Sequence, residues 1–398
     1  MAQMRQMKTV NYRTAAESLR FGIDFPVAGV YRGLTRVLTA PTRRTREVGR
    51  RRQDGVFQTD PTSYEVTTMP PRLPKGQRKY QLTAISDALT DIIIEVEDEE
   101  LVTLDLPKGN SIELTPENLK KLQKIAQKHL PTISPGGSPT NVIYGASNLG
   151  LRCSFIGCVG SDDYGYDYIN NLRENDVDTY VSIKRGRSGL CYTLISPDGQ
   201  RTFGLDFGVT KKLYDYEILH SLIADSEYLH FSAYELRGEN PINRSTRHAY
   251  ETARKVGTHI SFDLADSFVI NSARARIEEF LADRVDILFA NEEEARALCG
   301  PDFRRMLQYT DLAVVKLGEQ GSVAITPEGE TRIPAYRVED VRDTNGAGDN
   351  FQAGFFYGMF KGLPLTTCLR IGNFLAANII RRIGAQSKVK IQGIEFII

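Results

Sequence analysis

From Tyr80 onward the chain alternates two textures, and this alternation constrains its fold more than any other feature. Short apolar runs of strand type recur: "YQLTAIS", "CSFIGCV", "YLHFSAY", "HISFDLA", "VDILFAN", "LAVVKLG" and "SVAIT". Between several of them lie segments with a polar–apolar helical period, such as "NSARARIEEFLADR" and "NEEEARALCG". Strand and helix in alternation predict an α/β fold, a mostly parallel sheet covered by helices. Two stretches depart from the pattern. "DIIIEVEDEELVTL" and "GLCYTLISPDGQRTFGLDFG" read as hairpin material, the second turning at Pro197-Asp198-Gly199, and together they predict a small β flap beside the main sheet.

At 398 residues, with 41% apolar and 25% charged residues, the chain has the composition of a soluble globular protein with a large core. Its apolar runs are too short and too often broken by charge for a membrane span. The five cysteines (Cys153, Cys158, Cys191, Cys299, Cys368) make no CxxC pair, which favours reduced thiols over a disulfide framework or a zinc site. The formal net charge of zero is unevenly spread: residues 1–79 carry 16 Lys and Arg against 6 Asp and Glu. This Arg-, Thr- and Pro-rich stretch, with a short helix expected at "TAAESLRFG", reads as a basic N-terminal extension of low order. A docking arm for a protein partner is the sharper alternative. Its acids, Glu17 and Asp24, weaken an organellar address, and a nucleic-acid arm is the weaker reading beside partner docking. A cytoplasmic location is expected, with an organellar matrix the alternative if the extension includes a targeting segment.

The stretch "DTNGAGDNF" at 343–351 carries the chemistry. Phe351, Phe355 and Met359 follow at four-residue spacing, and Gly362 and Pro364 are stop signals, so the glycines open a buried helix. Free backbone N–H groups and the helix dipole at such a start favour an anion. An aspartate there can take the proton of an attacking hydroxyl while the N–H groups stabilise a transferring phosphoryl. Taken alone, the stretch reads rather as a turn whose acid complements the dipole. It is neither a Walker loop nor a GxGxxG fingerprint. Three further stretches shift the balance: "GGSPTN" at 136–141, "NEEE" at 291–294 and "KLGEQGS" at 316–322. All fall at predicted strand ends, where open α/β sheets bind ligands.

These motifs, in this order and together with "FIGCVGSDDYG", "LRIGNFLAANIIRRIGA" and the opening "ISDALTDIIIEVEDEELVTLDLPKGN", resemble the PfkB/ribokinase family of sugar and nucleoside kinases. The resemblance covers 80–398 and is strongest to the adenosine-kinase-like branch. It implies a ribokinase-like three-layer sandwich over 80–398, with a small β lid built from about 91–106 and 188–209. It also implies an ATP-dependent kinase acting on a primary hydroxyl of a nucleoside (adenosine-like) or a ribose-type sugar. The alternatives are a kinase for another sugar, or a non-catalytic member serving as a structural subunit docked by the N-terminal extension.

Carried over by the resemblance, Asp349 is the catalytic base. Asn345, Gly346, Ala347 and Gly348 form the anion hole, with Asp343 ordering the loop. Asp91 grips ribose-type hydroxyls, and Gly136, Gly137 and Asn141 lie beside it. Asn291 and Glu294 match the motif that positions Mg²⁺ through water and phosphate. Lys316, Gly318 and Gly321 border the nucleotide, and Asn373 and Ala377 fall where its base packs. Arg201 is placed to swing onto phosphate, with a solvated hairpin charge as an equal alternative. ATP and Mg²⁺ are the implied cofactors, and K⁺ is a third candidate because the family often uses a monovalent cation at the anion hole. The sequence departs from the branch in two places. Asp87 stands where an amide usually contacts the acceptor, which leaves an acceptor-only group in the substrate site, and Asn350 follows the base where a small apolar residue is usual.

Overall fold

A computed structural model describes residues 78–109, 111–386, 394 and 397. The expectations for the extension, up to residue 77, lie outside the described residues. The first half of the chain runs Tyr80–Ile85 (β1), Leu89–Glu95 (β2), Asp98–Leu104 (α1), Ser111–Glu113 (β3), Pro116–Ala126 (α2), Thr132–Pro135 (β4), Ser138–Asn148 (α3), Cys153–Gly160 (β5), Asp163–Glu174 (α4), Val177–Lys184 (β6), Gly189–Ile195 (β7) and Arg201–Asp206 (β8). The second half runs His220–Ala224 (α5), Ser226–Ser232 (β9), Pro241–Val256 (α6), His259–Asp263 (β10), Ser267–Leu281 (α7), Val285–Asn291 (β11), Glu292–Cys299 (α8), Thr310–Lys316 (β12), Ser322–Thr326 (β13), Gly329–Ile333 (β14), Ala347–Phe360 (α9) and Leu365–Ile379 (α10).

The seven apolar runs become strands of a nine-stranded sheet, completed by β6 and β14, in the order β14-β13-β12-β11-β10-β9-β1-β5-β6. Pairing is parallel from β6 to β12 and antiparallel at β13 and β14. Side chains alternate across it. On β11, Leu288 and Ala290 join one core with Ile242, Ala253, Ile277 and Leu298 of α6 to α8. Ile287 and Phe289 face the opposite core, with Val142, Leu172, Phe355 and Leu369 of α3, α4, α9 and α10. Burial on both faces is why these strands read as nearly continuous apolar runs. The three layers are those the alternation predicted.

A second sheet, β3-β8-β7-β2-β4, lies beside the first. Its two faces differ. Ile92, Ile94, Leu190, Tyr192 and Leu194 pack against Leu101 and Leu104 of α1 and Leu119 and Leu122 of α2. The alternate residues Leu89, Cys191 and Leu205, with Phe203 against them, form a smaller cluster facing the ligand cavity. The same period places Asp91 on the cavity face.

The hairpin expected over "DIIIEVEDEELVTL" is instead a strand followed by a helix. Glu97 and Glu100 form a reciprocal capping box, Asp98, Glu99 and Glu100 fill the first turn where the dipole favours acids, and Leu101 and Leu104 are buried one turn apart. β2 finds its partners elsewhere, parallel to β7 and antiparallel to β4. The turn at Pro197–Gly199 does join an antiparallel pair, with Gly199 at φ 78°. The five cysteines are buried and form no disulfide, and among the described residues no helix is long and apolar enough to cross a membrane.

Candidate active site

The parallel strands deliver their carboxyl ends to one edge of the sheet, and a cavity of about 420 Å³ opens there. Ser86 and Asp87 follow β1, Tyr234 and Glu235 follow β9, and Asp263, Asn291 and Lys316 end β10, β11 and β12. The cavity also takes in Gly137, Ser138 and Asn141 at the start of α3, Asn345, Gly346, Gly348 and Asp349 at the start of α9, and Asp91 with Phe203 and Leu205 from the second sheet.

At the head of α9, Gly346 caps the helix at φ 73°, a conformation that favours glycine, and a Cβ there would stand 2.5 Å from Cβ of Ala385. Asp349 lies in the first turn. Its Oδ1 accepts from Ser138 Oγ at 2.7 Å and its Oδ2 from Asn141 Nδ2 at 2.8 Å. Burial pushes its carboxyl up to about 6, against those two hydrogen bonds and the nearby charge of Lys316. The carboxylate therefore stays largely ionised at neutral pH while remaining basic enough to accept a proton.

The preceding loop is held from several sides. Asp343 is buried; its Oδ1 accepts from Asn345 N at 2.8 Å and pairs with Arg201 at 2.6 Å, and its Oδ2 accepts from Gly384 N at 2.8 Å. Arg201 also donates to Thr344 Oγ1 at 2.7 Å. Asn350, the unusual residue after the aspartate, has a structural explanation. Its buried Nδ2 donates to the carbonyls of Gly346 at 2.8 Å and Ala385 at 2.9 Å, fastening the glycine turn to the later segment.

Asp91 is buried against Gly136, where a Cβ would come within 2.6 Å of Asp91 Oδ2. Burial pushes its carboxyl up to about 7; hydrogen bonds from Cys191 and Asn345 oppose the shift, and the charge of Asp349 reinforces it. Asn291 and Glu294 make a capping box on α8. Asn291 Oδ1 accepts from Glu294 N at 2.8 Å, and Glu294 accepts from Asn291 N at 2.7 Å and from Asn291 Nδ2 at 2.6 Å. Burial pushes Glu294 up to about 7, with Lys316 working against it. Lys316 Nζ sits 3.3 Å from Asp263 Oδ1, and Gln352 Nε2 donates to Asp263 Oδ2 at 2.6 Å. Burial disfavours the Lys316 ammonium, but Asp263, Glu294 and Asp349 hold its pKa above the ordinary lysine value. An ammonium thus lies beside the helix start, with its Nζ 3.1 Å from where a Cβ on Gly348 would be.

Not all of the expected residues line the cavity. Gly136 and Ala347 are not among its lining residues, whereas their neighbours Gly137, Gly346 and Gly348 are. Gly321 is a turn residue at φ 93°, where a Cβ would strike the Ile333 carbonyl oxygen. Asn373 donates to the carbonyls of Ile333 and Pro334, and Ala377 is half-buried on α10. Arg201 is bound to the loop before α9. Ser138, Glu235, Arg237 and Asp263 are cavity residues that the sequence reading did not single out. Asp263 closes an apolar strand and was findable from the strand-end rule. Glu235 carried no comparable signal.

Residues 99–392 match the model of the pfkB family carbohydrate kinases. The 5-dehydro-2-deoxygluconokinase of Geobacillus thermodenitrificans is 29% identical over 263 residues, 62% of this chain and 78% of that protein. The guanosine-inosine kinase of Escherichia coli K12 is 30% identical over 281 residues, 65% of this chain and 64% of the other. Among solved structures, an adenosine kinase from Sinorhizobium meliloti superposes with a TM-score of 0.73 at 29% identity, covering 78% of this chain and 97% of that one.

Proposed function

The chain belongs to the PfkB family of carbohydrate kinases, a family that uses ATP, and from that premise we propose the reaction it performs. It transfers the terminal phosphoryl group of ATP to a primary hydroxyl of a nucleoside or ribose-type sugar. The observation that carries this reading is the placement of Asp349: a carboxylate fixed by Ser138 and Asn141, one residue after a glycine turn at a helix N-terminus, in one cavity with Asp91.

Asp91 receives the acceptor's diol in paired, charge-assisted hydrogen bonds. The primary hydroxyl then points at Asp349, whose ionised carboxylate takes its proton as the oxygen attacks phosphorus. Charge developing on the transferring group meets the free N–H groups of the helix start and the Lys316 ammonium. Phe203 and Leu205 on β8 and Leu89 on β2 cover the acceptor and keep water from competing for the phosphoryl group.

Among the described residues no group of three or more His, Cys, Asp or Glu side chains is arranged to hold a metal. That suits Mg²⁺, which dehydrates reluctantly and is carried on phosphates with most of its waters. Glu294, backed by Asn291, would meet those waters, and the ion would supply neutralisation of the phosphate oxygens. The test is a panel of nucleosides and pentoses with Mg-ATP, followed for ADP and phosphorylated product. Turnover of one of them is expected; no product together with no nucleotide binding would overturn the reading.

A further inference from the structure

The cavity has two chemically different ends. Asp91 belongs to the transfer end, since its polar neighbours are Asn345, Asp349 and Asp343. Asp87, four residues earlier, belongs to the other. Glu235 bonds its backbone, and Arg237, Lys211 and Glu113 are the charges around it.

Asp87 is 3% exposed and lines the cavity, yet neither of its carboxylate oxygens has a hydrogen-bond partner among the described residues. The other cavity acids are all engaged: Asp349 with Ser138 and Asn141, Asp91 with Cys191 and Asn345, Glu294 with Asn291, Asp263 with Gln352, Asp266 with the Phe268 N–H, and Glu235 with Ser232. A buried carboxylate without partners is costly in the free protein, and the cost is relieved when a ligand supplies donors.

The backbone around Asp87 is nevertheless tightly built. Its N–H donates to Glu235 Oε1 at 3.2 Å, and Glu235 Oε2 is fixed by Ser232 N at 2.9 Å and Ser232 Oγ at 2.7 Å. The next N–H, of Ala88, donates to Thr210 Oγ1 at 2.7 Å. Burial pushes the Asp87 carboxyl up, and the nearby cations oppose that shift without occupying its oxygens: Lys211 bonds Glu113 and lies over the Phe207 ring, while Arg237 stacks over Tyr234. The surrounding walls (Leu89, Phe203, Leu205, Tyr234) are apolar or aromatic, which suits a flat ring and gives a polyol few partners.

We propose that Asp87 determines acceptor specificity by receiving two adjacent N–H donors from a heterocyclic base, so that the preferred acceptor is a nucleoside with a guanine-type edge. The inference rests on the phosphotransfer reading and narrows its acceptor. Two N–H donors brought by a ligand offset the burial of Asp87 and favour the ionised carboxylate, which only accepts hydrogen bonds. Guanine sets a ring N–H beside an exocyclic amine and satisfies both oxygens. Hypoxanthine keeps the ring N–H alone, and adenine turns a ring-nitrogen lone pair toward the carboxylate. The ranking is therefore guanosine, then inosine, then adenosine, with free ribose leaving Asp87 unpaired. Glu235 acts as a positioning residue that holds the Asp87 backbone.

The experiment is calorimetric titration of the full chain, without ATP, with guanosine, inosine, adenosine and ribose, repeated on Asp87→Asn and paired with phosphotransfer assays. Guanosine should bind roughly 10- to 100-fold more tightly than adenosine, the range expected for hydrogen bonds to a charged group. Asp87→Asn, which exchanges an acceptor for a donor, should cancel or invert that ratio. Equal binding, an adenosine preference, or a guanosine preference that survives Asp87→Asn overturns the assignment. Should that variant fail to fold, the wild-type ranking alone decides. Guanosine preference in binding with no phosphotransfer to any acceptor would refute the kinase reaction and leave the assignment standing.

Discussion

Replacing Asp349 with asparagine separates proton removal from everything else the site does. The change is nearly isosteric, and its new hydrogen bonds can be worked out. Asn141 Nδ2 donates to Asp349 at 2.8 Å and can only donate, so the new side-chain oxygen must face Asn141. The new amide nitrogen then faces Ser138 Oγ, 2.7 Å away in the wild type, and the hydroxyl can turn to accept. Both contacts survive, so α3 and α9 stay in register. What disappears is the base. General-base catalysis contributes about 10²- to 10⁴-fold, or about 3 to 5 kcal/mol of transition-state stabilisation, and kcat should fall within that range. ATP affinity should hold or rise slightly, because a negative charge leaves the phosphate site. Stability should not fall, since the rise of this carboxyl to about 6 represents about 3 kcal/mol of unfavourable burial at neutral pH that asparagine avoids. Steady-state kinetics with calorimetric ATP titration and a thermal melt check all three. A kcat within tenfold of wild type, with ATP binding and the melting temperature intact, would remove Asp349 from the role of base.

The pH dependence follows from the same shifts. Asp349 and Asp91 must be ionised to act, and burial raises them to about 6 and about 7, so kcat/KM should fall as pH drops through that interval, with the lower limb lost in Asp349→Asn. A flat profile between pH 5.5 and 8 (roughly the window these shifts define) would contradict the assignment. Gly346→Ala puts an alanine at φ 73° with its Cβ in collision with Ala385, and should cost more than about 1 kcal/mol in a chemical-denaturation assay while slowing turnover. Asn350→Ala leaves the carbonyls of Gly346 and Ala385 without this donor; about 1 to 3 kcal/mol of stability should be lost, read by the same assay. Arg201→Ala breaks the pair between β8 and the buried Asp343, and should raise acceptor-independent ATP hydrolysis relative to transfer, measured as ADP released per product formed.

How much was legible in the sequence varied with the range of the interaction. Seven of the nine strands of the large sheet were readable because each is a nearly continuous apolar run, whereas β6 (VDTYVSIK) and β14 (GETRI) alternate with polar residues and were not singled out; α9 was readable because Phe351, Phe355 and Met359 declare its buried stripe. The helix α1 was not, because the acids of "EDEE" break the apolar pattern; they cap and open the helix, and Leu101 and Leu104 pack in one cluster with Leu119 and Leu122 of α2. Asn350 was visible as an oddity, but its purpose depends on Ala385, 35 residues later. Glu235 is 148 residues from Asp87, and no local pattern joins them. The expectation for Asn373 and Ala377 came from resemblance rather than from their own chemistry. In this fold Asn373 is occupied by the backbone at the end of β14.

The segment Gly384–Gln386 reaches three separate parts of the site. Gly384 N–H binds Asp343, the Ala385 carbonyl receives Asn350, and Gln386 Nε2 donates to Asn141 Oδ1 at 3.0 Å across 245 residues of chain. Synthesis proceeds in the opposite sense, from the strands that come first. A ribosome-bound chain that has emerged only as far as α10 can already pair the large sheet, but it lacks the clasp that holds Asn141 and the glycine turn in place. Phosphotransfer competence should thus arrive late in biogenesis, after the hydrophobic layers are already formed.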